Sequence, residues 1–188
     1  MTDFTDSSLF ERGSIGEQNV ATFLKENGWA VVPTHECNPG DAAMMRGMDK
    51  SFILPDLLSF DTKRAIWIEV KTKEKPRLYK KRNEYRHCID EYQYREYLQV
   101  ESLTGSNVWL FVYEENTDKI LRAPVNWLPV VQTLPPEDSN GAFDNTVVFF
   151  RRNDFIDTGI IVAENGIRTG KTGDRALRNP PPNDPFAE

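Results

Sequence analysis

Asp56, Glu69 and Lys71 have the residue types and spacing to hold a hard divalent cation with an ammonium beside it. Phe52-Ile53-Leu54-Pro55-Asp56-Leu57-Leu58-Ser59-Phe60 is apolar, Asp61-Thr62-Lys63-Arg64 is polar, and Ala65-Ile66-Trp67-Ile68-Glu69-Val70-Lys71 is rich in β-branched and aromatic residues, so the segment predicts a tight β-hairpin. With the turn centred between Thr62 and Lys63, opposed residue numbers sum to 125, and Asp56 faces Glu69. Opposed positions hold their Cβ atoms roughly 4.5 to 5.5 Å apart, where two like charges destabilise the sheet. A divalent cation between them compensates, and Mg²⁺ takes one or two carboxylates with waters and phosphate oxygens. Lys71, two residues beyond Glu69, points to the same face and adds a positive charge there. The plainer alternative is an exposed hairpin whose carboxylates pair with neighbouring lysines.

Pro55-Asp56 followed by Glu69-Val70-Lys71 resembles the motif of the PD-(D/E)XK nuclease superfamily, which includes restriction endonucleases and archaeal Holliday-junction resolvases. The resemblance covers roughly residues 7 to 113. It implies an α/β fold with a mixed central sheet flanked by helices, a restriction-endonuclease-like core here followed by extra C-terminal strands. It also implies metal-dependent phosphodiester cleavage, usually of DNA, with Mg²⁺ as the expected metal and Mn²⁺ as a substitute. Asp56, Glu69 and Lys71 take catalytic positions by this resemblance. The carbonyl of Val70 joins Asp56 and Glu69 as a metal ligand, and Glu17 matches the glutamate that members carry on a helix before the core strands. Gln93 matches a polar residue that often contacts substrate on the helix after the lysine strand; otherwise it is a plain surface glutamine. Many members are dimers, so a homodimer is among the assemblies the resemblance allows.

The elements needed to position these residues are legible. Residues 13–28 read as an amphipathic helix with Val20, Phe23 and Leu24 at helical spacing and Gly28 past its last turn. Glu17 lies on the edge of that apolar stripe, where a carboxylate is costly unless paired or liganded; its plainer role is to complement the helix dipole. Trp29-Ala30-Val31-Val32-Pro33 reads as a strand, followed by a polar loop with His35, Cys37, Gly40, Asp41 and Gly47. His35 and Cys37, with His87 and Cys88, lack the gaps of structural zinc sites. Ile89 to Thr104 predicts a second helix ended by Gly105, and Val108 to Tyr113 a strongly apolar strand.

From Lys71 to His87 there are eight Lys or Arg residues against Glu74 and Glu84, a local charge of +6 in a chain whose net charge is −6. Lys73, Lys75, Arg77, Lys80, Lys81 and Arg82 are therefore candidates for phosphate contacts. Tyr79 and Tyr85 in the same stretch are candidates for stacking on bases or sugars. Tyr94, Tyr97 and Leu98 have the spacing of a core face.

The 188 residues suffice for one domain. Mean hydropathy is −0.56, no apolar run approaches the roughly eighteen residues of a membrane span, and the polar start is unlike a signal peptide, so a cytoplasmic protein is expected. Two cysteines provide no disulfide framework. Lys119–Val125 and Thr146–Phe150 read as strands, Asn126–Val131 as a short helix, and Ile160–Val162 as an edge strand. The expected organisation is a single nuclease-like domain over residues 1–168 and a flexible Pro-, Gly- and Arg-containing tail over 169–188. Gly166-Ile167-Arg168-Thr169-Gly170-Lys171-Thr172 has too few residues between its glycines for a phosphate-binding loop. Two other classes fit the same composition: an inactive nuclease-like fold that only binds nucleic acid, and an acidic protein-interaction module, which the pI near 5.1 suits.

Overall fold

A computed structural model describes residues 7–35, 43–47, 50–163, 166–169 and 184–186. Helix α1, Ser7–Glu26, extends further upstream than its apolar periodicity indicates. It ends at Gly28, whose φ of 82° lets the Trp29 N–H reach back to the Leu24 carbonyl at 3.0 Å, a left-handed stop that a side chain would strain. Strand β1 (Ala30–Pro33) follows, then a small hairpin of β2 (Met44–Arg46) and β3 (Ser51–Ile53). That hairpin stands where the sequence suggests only a polar loop. Its paired strands carry Met44, Met45 and Phe52, too few residues to register as alternation. The nine-residue apolar run expected as one strand is divided, because Pro55 has no N–H to donate to a ladder: β3 ends at Ile53 and β4 is Leu57–Phe60.

The main sheet is built on β5 (Ala65–Lys73) and β8 (Val108–Glu114), which run parallel. Between them the chain passes through β6 (Arg77–Tyr79), β7 (Glu84–Asp90) and helix α2 (Glu91–Thr104). Ile89 and Asp90, expected at the start of the helix, belong to β7. The main sheet continues with β9 (Lys119–Pro124), β12 (Ile156–Ala163) and β13 (Gly166–Thr169), in the order β1-β4-β5-β8-β9-β12-β13. All its neighbours except β5 and β8 are antiparallel. A second antiparallel sheet has the order β10-β11-β7-β6, with β10 (Gln132–Leu134) and β11 (Val147–Arg151). The helix expected over 126–131 is a single 3₁₀ turn, Val125–Trp127.

Each face of the main sheet has its own core. On one face Val20, Phe23 and Leu24 of α1 pack on Ile66, Ile68, Val70, Trp109 and Phe111. On the other, Tyr97 and Val100 of α2 and Val148 and Phe150 of β11 pack on Leu110, Val112 and Leu121. Alternation along β5 thus sends Ile66, Ile68 and Val70 toward α1 and Glu69, Lys71 and Lys73 toward α2 and the second sheet. Within the segment expected to be a tail, Asp184–Phe186 is docked: Phe186 packs on Trp29, Trp109 and Phe111, and the Asp184 carboxylate accepts a 2.6 Å hydrogen bond from Arg122. The expected tail residues 170–183 and 187–188, and Cys37, Gly40 and Asp41, lie outside the described residues. Among the described residues no helix is long and apolar enough to cross a membrane.

Candidate active site

The β4–β5 hairpin has the register expected from the sequence: Leu57 pairs with Ile68, Leu58 with Trp67, Ser59 with Ile66 and Phe60 with Ala65. Asp61 closes the turn, its N–H bonding the Arg64 carbonyl at 3.0 Å and its carboxylate accepting from the Lys63 and Arg64 N–H groups. Beyond Leu57 the strand stops, and Asp56 stands where the next pairing to Glu69 would fall. Thr34, at the end of β1, holds this corner: its N–H bonds the Asp56 carbonyl at 2.9 Å and its hydroxyl the Pro55 carbonyl at 2.6 Å.

With no strand left to receive it, the Val70 N–H donates to Asp56 Oδ2 at 2.7 Å. The N–H and C=O of one strand residue lie on the same edge of the strand. Trp67 and Lys73 use theirs toward β8, bonding the Asn107 carbonyl and the Glu115 N–H, so the even-numbered residues face the β4 edge. The Val70 carbonyl therefore opens onto the gap that Asp56 occupies. On the α2 side of β5, Lys71 Nζ lies 2.5 Å from Glu69 Oε1, with the Glu69 side chain 2% exposed. The buried Tyr97 hydroxyl lies close to the same carboxylate, and burial followed by that charge raises its pKa.

Electrostatics tie these groups into one site. Burial and then repulsion from Glu69 push the Asp56 carboxyl well above its ordinary range. Glu17 on α1 is also raised, by burial first, and it feels the charges of Glu69 and Lys71; its carboxylate lies 3.7 Å from His35 Nδ1. Burial works against a charged Lys71, yet attraction to Glu69, Asp56 and Asp90 prevails and raises its pKa. Lys71 is thus a fixed ammonium rather than a base. Three carboxyl groups feel a single ammonium, and Asp56, Glu69 and the Val70 carbonyl offer oxygen donors of the hard kind that Mg²⁺ prefers. Among the described residues no three His, Cys, Asp or Glu side chains converge as a ready metal cage.

Gln93 sits half-buried on the first turn of α2, and among the described residues it makes no hydrogen bond to Asp56, Glu69 or Lys71. His35, Tyr97 and Asp90 were not anticipated as neighbours of the site. Only the acidity around Lys71 could have pointed to Asp90, while Tyr97 has the helical spacing of a core residue and is indeed buried at 1% exposure.

The basic stretch folds as the β6–β7 hairpin with Lys80, Lys81 and Arg82 exposed at its tip and Lys75 and Arg77 exposed at its base. Tyr85 is 53% exposed. Tyr79 is partly spent, since the Arg86 guanidinium covers one ring face at 3.7 Å. Arg86 itself is buried, bound to Glu84 and Gln132, and contributes nothing to the surface charge counted from the sequence.

Residues 9–95 match the family model described as archaeal Holliday junction resolvase (Hjc). They run from α1 into α2 and include Glu17, Asp56, Glu69, Val70 and Lys71, with Tyr97 just beyond. By shape the chain is similar to Hjc from Archaeoglobus fulgidus, a Holliday junction resolvase from an archaeal hyperthermophile, with a TM-score of 0.50 and 11% identity over 79% of this chain and 93% of that one. Over residues 9–95 the chain is thus similar to a family of the PD-(D/E)XK superfamily, and its fold is restriction-endonuclease-like. The nuclease D212 from a fusellovirus gives a TM-score of 0.41 and 13% identity over 79% of this chain and 86% of that one. Comparison with curated proteins gives no match. Within the matched residues the motif residues Asp56, Glu69 and Lys71 are those just described, and β6–β7 lies between the motif strand and the following helix.

Proposed function

We propose that this chain is a divalent-metal-dependent nuclease that hydrolyses phosphodiester bonds of DNA, with branched DNA its first candidate substrate and the cytoplasm its location. The observation that carries the reading is the Asp56 carboxylate seated on the Val70 N–H one strand from a buried Glu69–Lys71 pair. In this reading Asp56, Glu69 and the Val70 carbonyl hold Mg²⁺ or Mn²⁺, and Glu17 reaches it directly or through water. The ion supplies neutralising charge at the phosphate and a more acidic water. Lys71, held cationic by Glu69, stabilises negative charge developing on the phosphate oxygens. Pre-orientation by Tyr97 and Glu69 keeps that ammonium from having to reorganise. Lys75, Arg77, Lys80, Lys81 and Arg82 attract the backbone, Tyr85 offers a stacking surface, and Gln93 stands by for a substrate contact.

The test is cleavage of labelled four-way junction, duplex, single-stranded DNA and RNA with Mg²⁺ or Mn²⁺. Asp56→Asn, Glu69→Gln and Lys71→Met are each expected to lower the rate about 100-fold or more, with circular dichroism unchanged. Wild-type rates from all three folded variants would remove the assignment. Loss of cleavage by every form with retained, salt-dependent DNA binding would leave a binding protein on a nuclease core.

A further inference from the structure

A cleft of about 660 Å³ opens beside the proposed catalytic face, between the β5–β6 turn, the β6–β7 hairpin and Phe143. Its composition is mixed in an unusual way. Lys73, Lys75 and Arg77 supply cations, Phe143 and Tyr85 supply aromatic surface, and buried Cys88 lies in the floor. The Arg77 guanidinium stacks 4.3 Å from the Phe143 ring centroid, making a flat cationic platform on one wall. Among the described residues Lys73 has no carboxylate within ion-pair distance, whereas Lys75 lies 3.7 Å from Glu74, which also lines the cleft. Arg86, the fourth cation of the wall, is already engaged by Glu84 and Gln132.

A bare anion would have no use for the ring and the neutral floor, and an apolar ligand would leave Lys73 unpaired. A nucleotide uses both, its phosphate against the ammonium groups and its base against the stacked Arg77–Phe143 pair. The cleft is also placed in line with the candidate site. Glu69, Lys71 and Lys73 alternate onto one face of β5 at about 6.6 Å per pair of residues, so Lys73 follows Glu69 by about 13 Å, a short stretch of strand away. A base held in a duplex stack cannot enter such a cleft, because it must first be unstacked and turned out.

We infer that the Lys73–Arg77–Phe143 cleft receives an unpaired nucleotide of the strand whose phosphate lies at Asp56 and Glu69, so that this chain prefers DNA containing an unpaired nucleotide over fully paired duplex. The inference rests on the nuclease reading for the placement of the strand, and its test is a binding measurement that needs no cleavage. Full-length protein with Ca²⁺ in place of Mg²⁺ is titrated with two DNAs of equal length, one fully paired and one with a short gap, a fluorescent base analogue marking an unpaired position. Wild-type protein is expected to bind the gapped DNA about tenfold more tightly, the scale of one stacked base, with a change in analogue fluorescence. Phe143→Ala and Lys73→Gln, each checked for a native melting curve, are expected to bring that preference toward unity. If Phe143→Ala fails to fold, Lys73→Gln carries the comparison. Equal binding of the two DNAs by wild type, or an undiminished preference in the folded variants, would overturn the inference. Metal-dependent cleavage abolished by Asp56→Asn, with no preference for the gap, would sink the cleft and spare the nuclease. A gap preference lost in the variants, with no cleavage by wild type, would do the reverse.

Discussion

At the scale of single residues, the most heavily bonded buried group lies outside the candidate site. Glu114, at the end of β8 and 1% exposed, receives two 2.7 Å hydrogen bonds from Arg152, one of 2.8 Å with His87 and one of 3.1 Å from Thr117. Burial alone would raise its pKa, but the His87 and Arg152 bonds overcome it and hold the carboxyl at about 2, against an ordinary 4.5. A carboxyl lowered on folding stabilises the native state above its unfolded value and loses that contribution as pH falls through the folded one. The window is therefore pH 4.5 down to 2, and the stabilisation at stake is on the order of 3 kcal/mol. Glu114→Gln is expected to be less stable at neutral pH, because Arg152 loses its ionic partner, and to show a flatter decline across that acid window. Urea unfolding at stepped pH measures both. The same logic separates Asp56 from Glu114: one carboxyl is buried against like charge and raised, the other is buried among donors and lowered.

Elements position the site through one close approach. A Cβ placed on Gly16 would lie 2.0 Å from Thr72 Oγ1 and 3.3 Å from Thr72 Cβ, so α1 lies on β5 at a spacing that a larger residue forbids. Glu17 follows directly, so the same contact sets its distance from Glu69 and Asp56. Gly16→Ala is expected to push the helix off the strand, costing about 1–3 kcal/mol and lowering cleavage as Glu17 withdraws. The Thr72 hydroxyl is buried without a hydrogen-bond partner, so Thr72→Ala removes the obstacle at little expense. The double variant Gly16→Ala/Thr72→Ala should recover most of the stability and rate. A double-mutant cycle with no coupling would show that the contact does not set the helix position. Pro55 acts at the same scale by ending β4 one residue early, which frees the Val70 edge.

Over the whole molecule, two features lie far apart in the chain and decide its integrity. Phe186 closes the α1 face of the sheet, with ring centroids 5.2 Å from Trp29 and 5.5 Å from Trp109, while its guanidinium neighbour Arg122 sits 4.4 Å above the ring. Phe186→Ala is expected to cost about 3 kcal/mol, seen as a lower urea midpoint with little change in slope. Equal midpoints would mean that the ring merely rests on the sheet. Charge is the second feature: a chain of net −6 concentrates cations on the β6–β7 hairpin, so in the proposed function a nucleic acid is drawn to that hairpin and repelled by the acidic remainder.

The amino-acid order by itself determined the hairpin and its register over Leu57–Phe60 and Ala65–Ile68, because side-chain alternation and a polar four-residue turn are local properties with only one consistent pairing; Asp56, expected to pair with Glu69, instead leaves the ladder and accepts from the Val70 N–H. The order likewise determined the α1 stop at Gly28 and the apolar β8. Only the tertiary structure decided which charges are exposed and which are spent. Arg86 and Arg77 stand nine residues apart in one basic run, yet one is buried on Glu84 and the other stacks on Phe143. Tyr97 obeys core spacing and still reaches Glu69, and Phe186 leaves an apparently tail-like stretch to fill a gap between helix and sheet. Partners so distant in sequence carry no periodic signal, since burial and hydrogen bonding are settled by what the opposite layer presents and not by the neighbours along the chain.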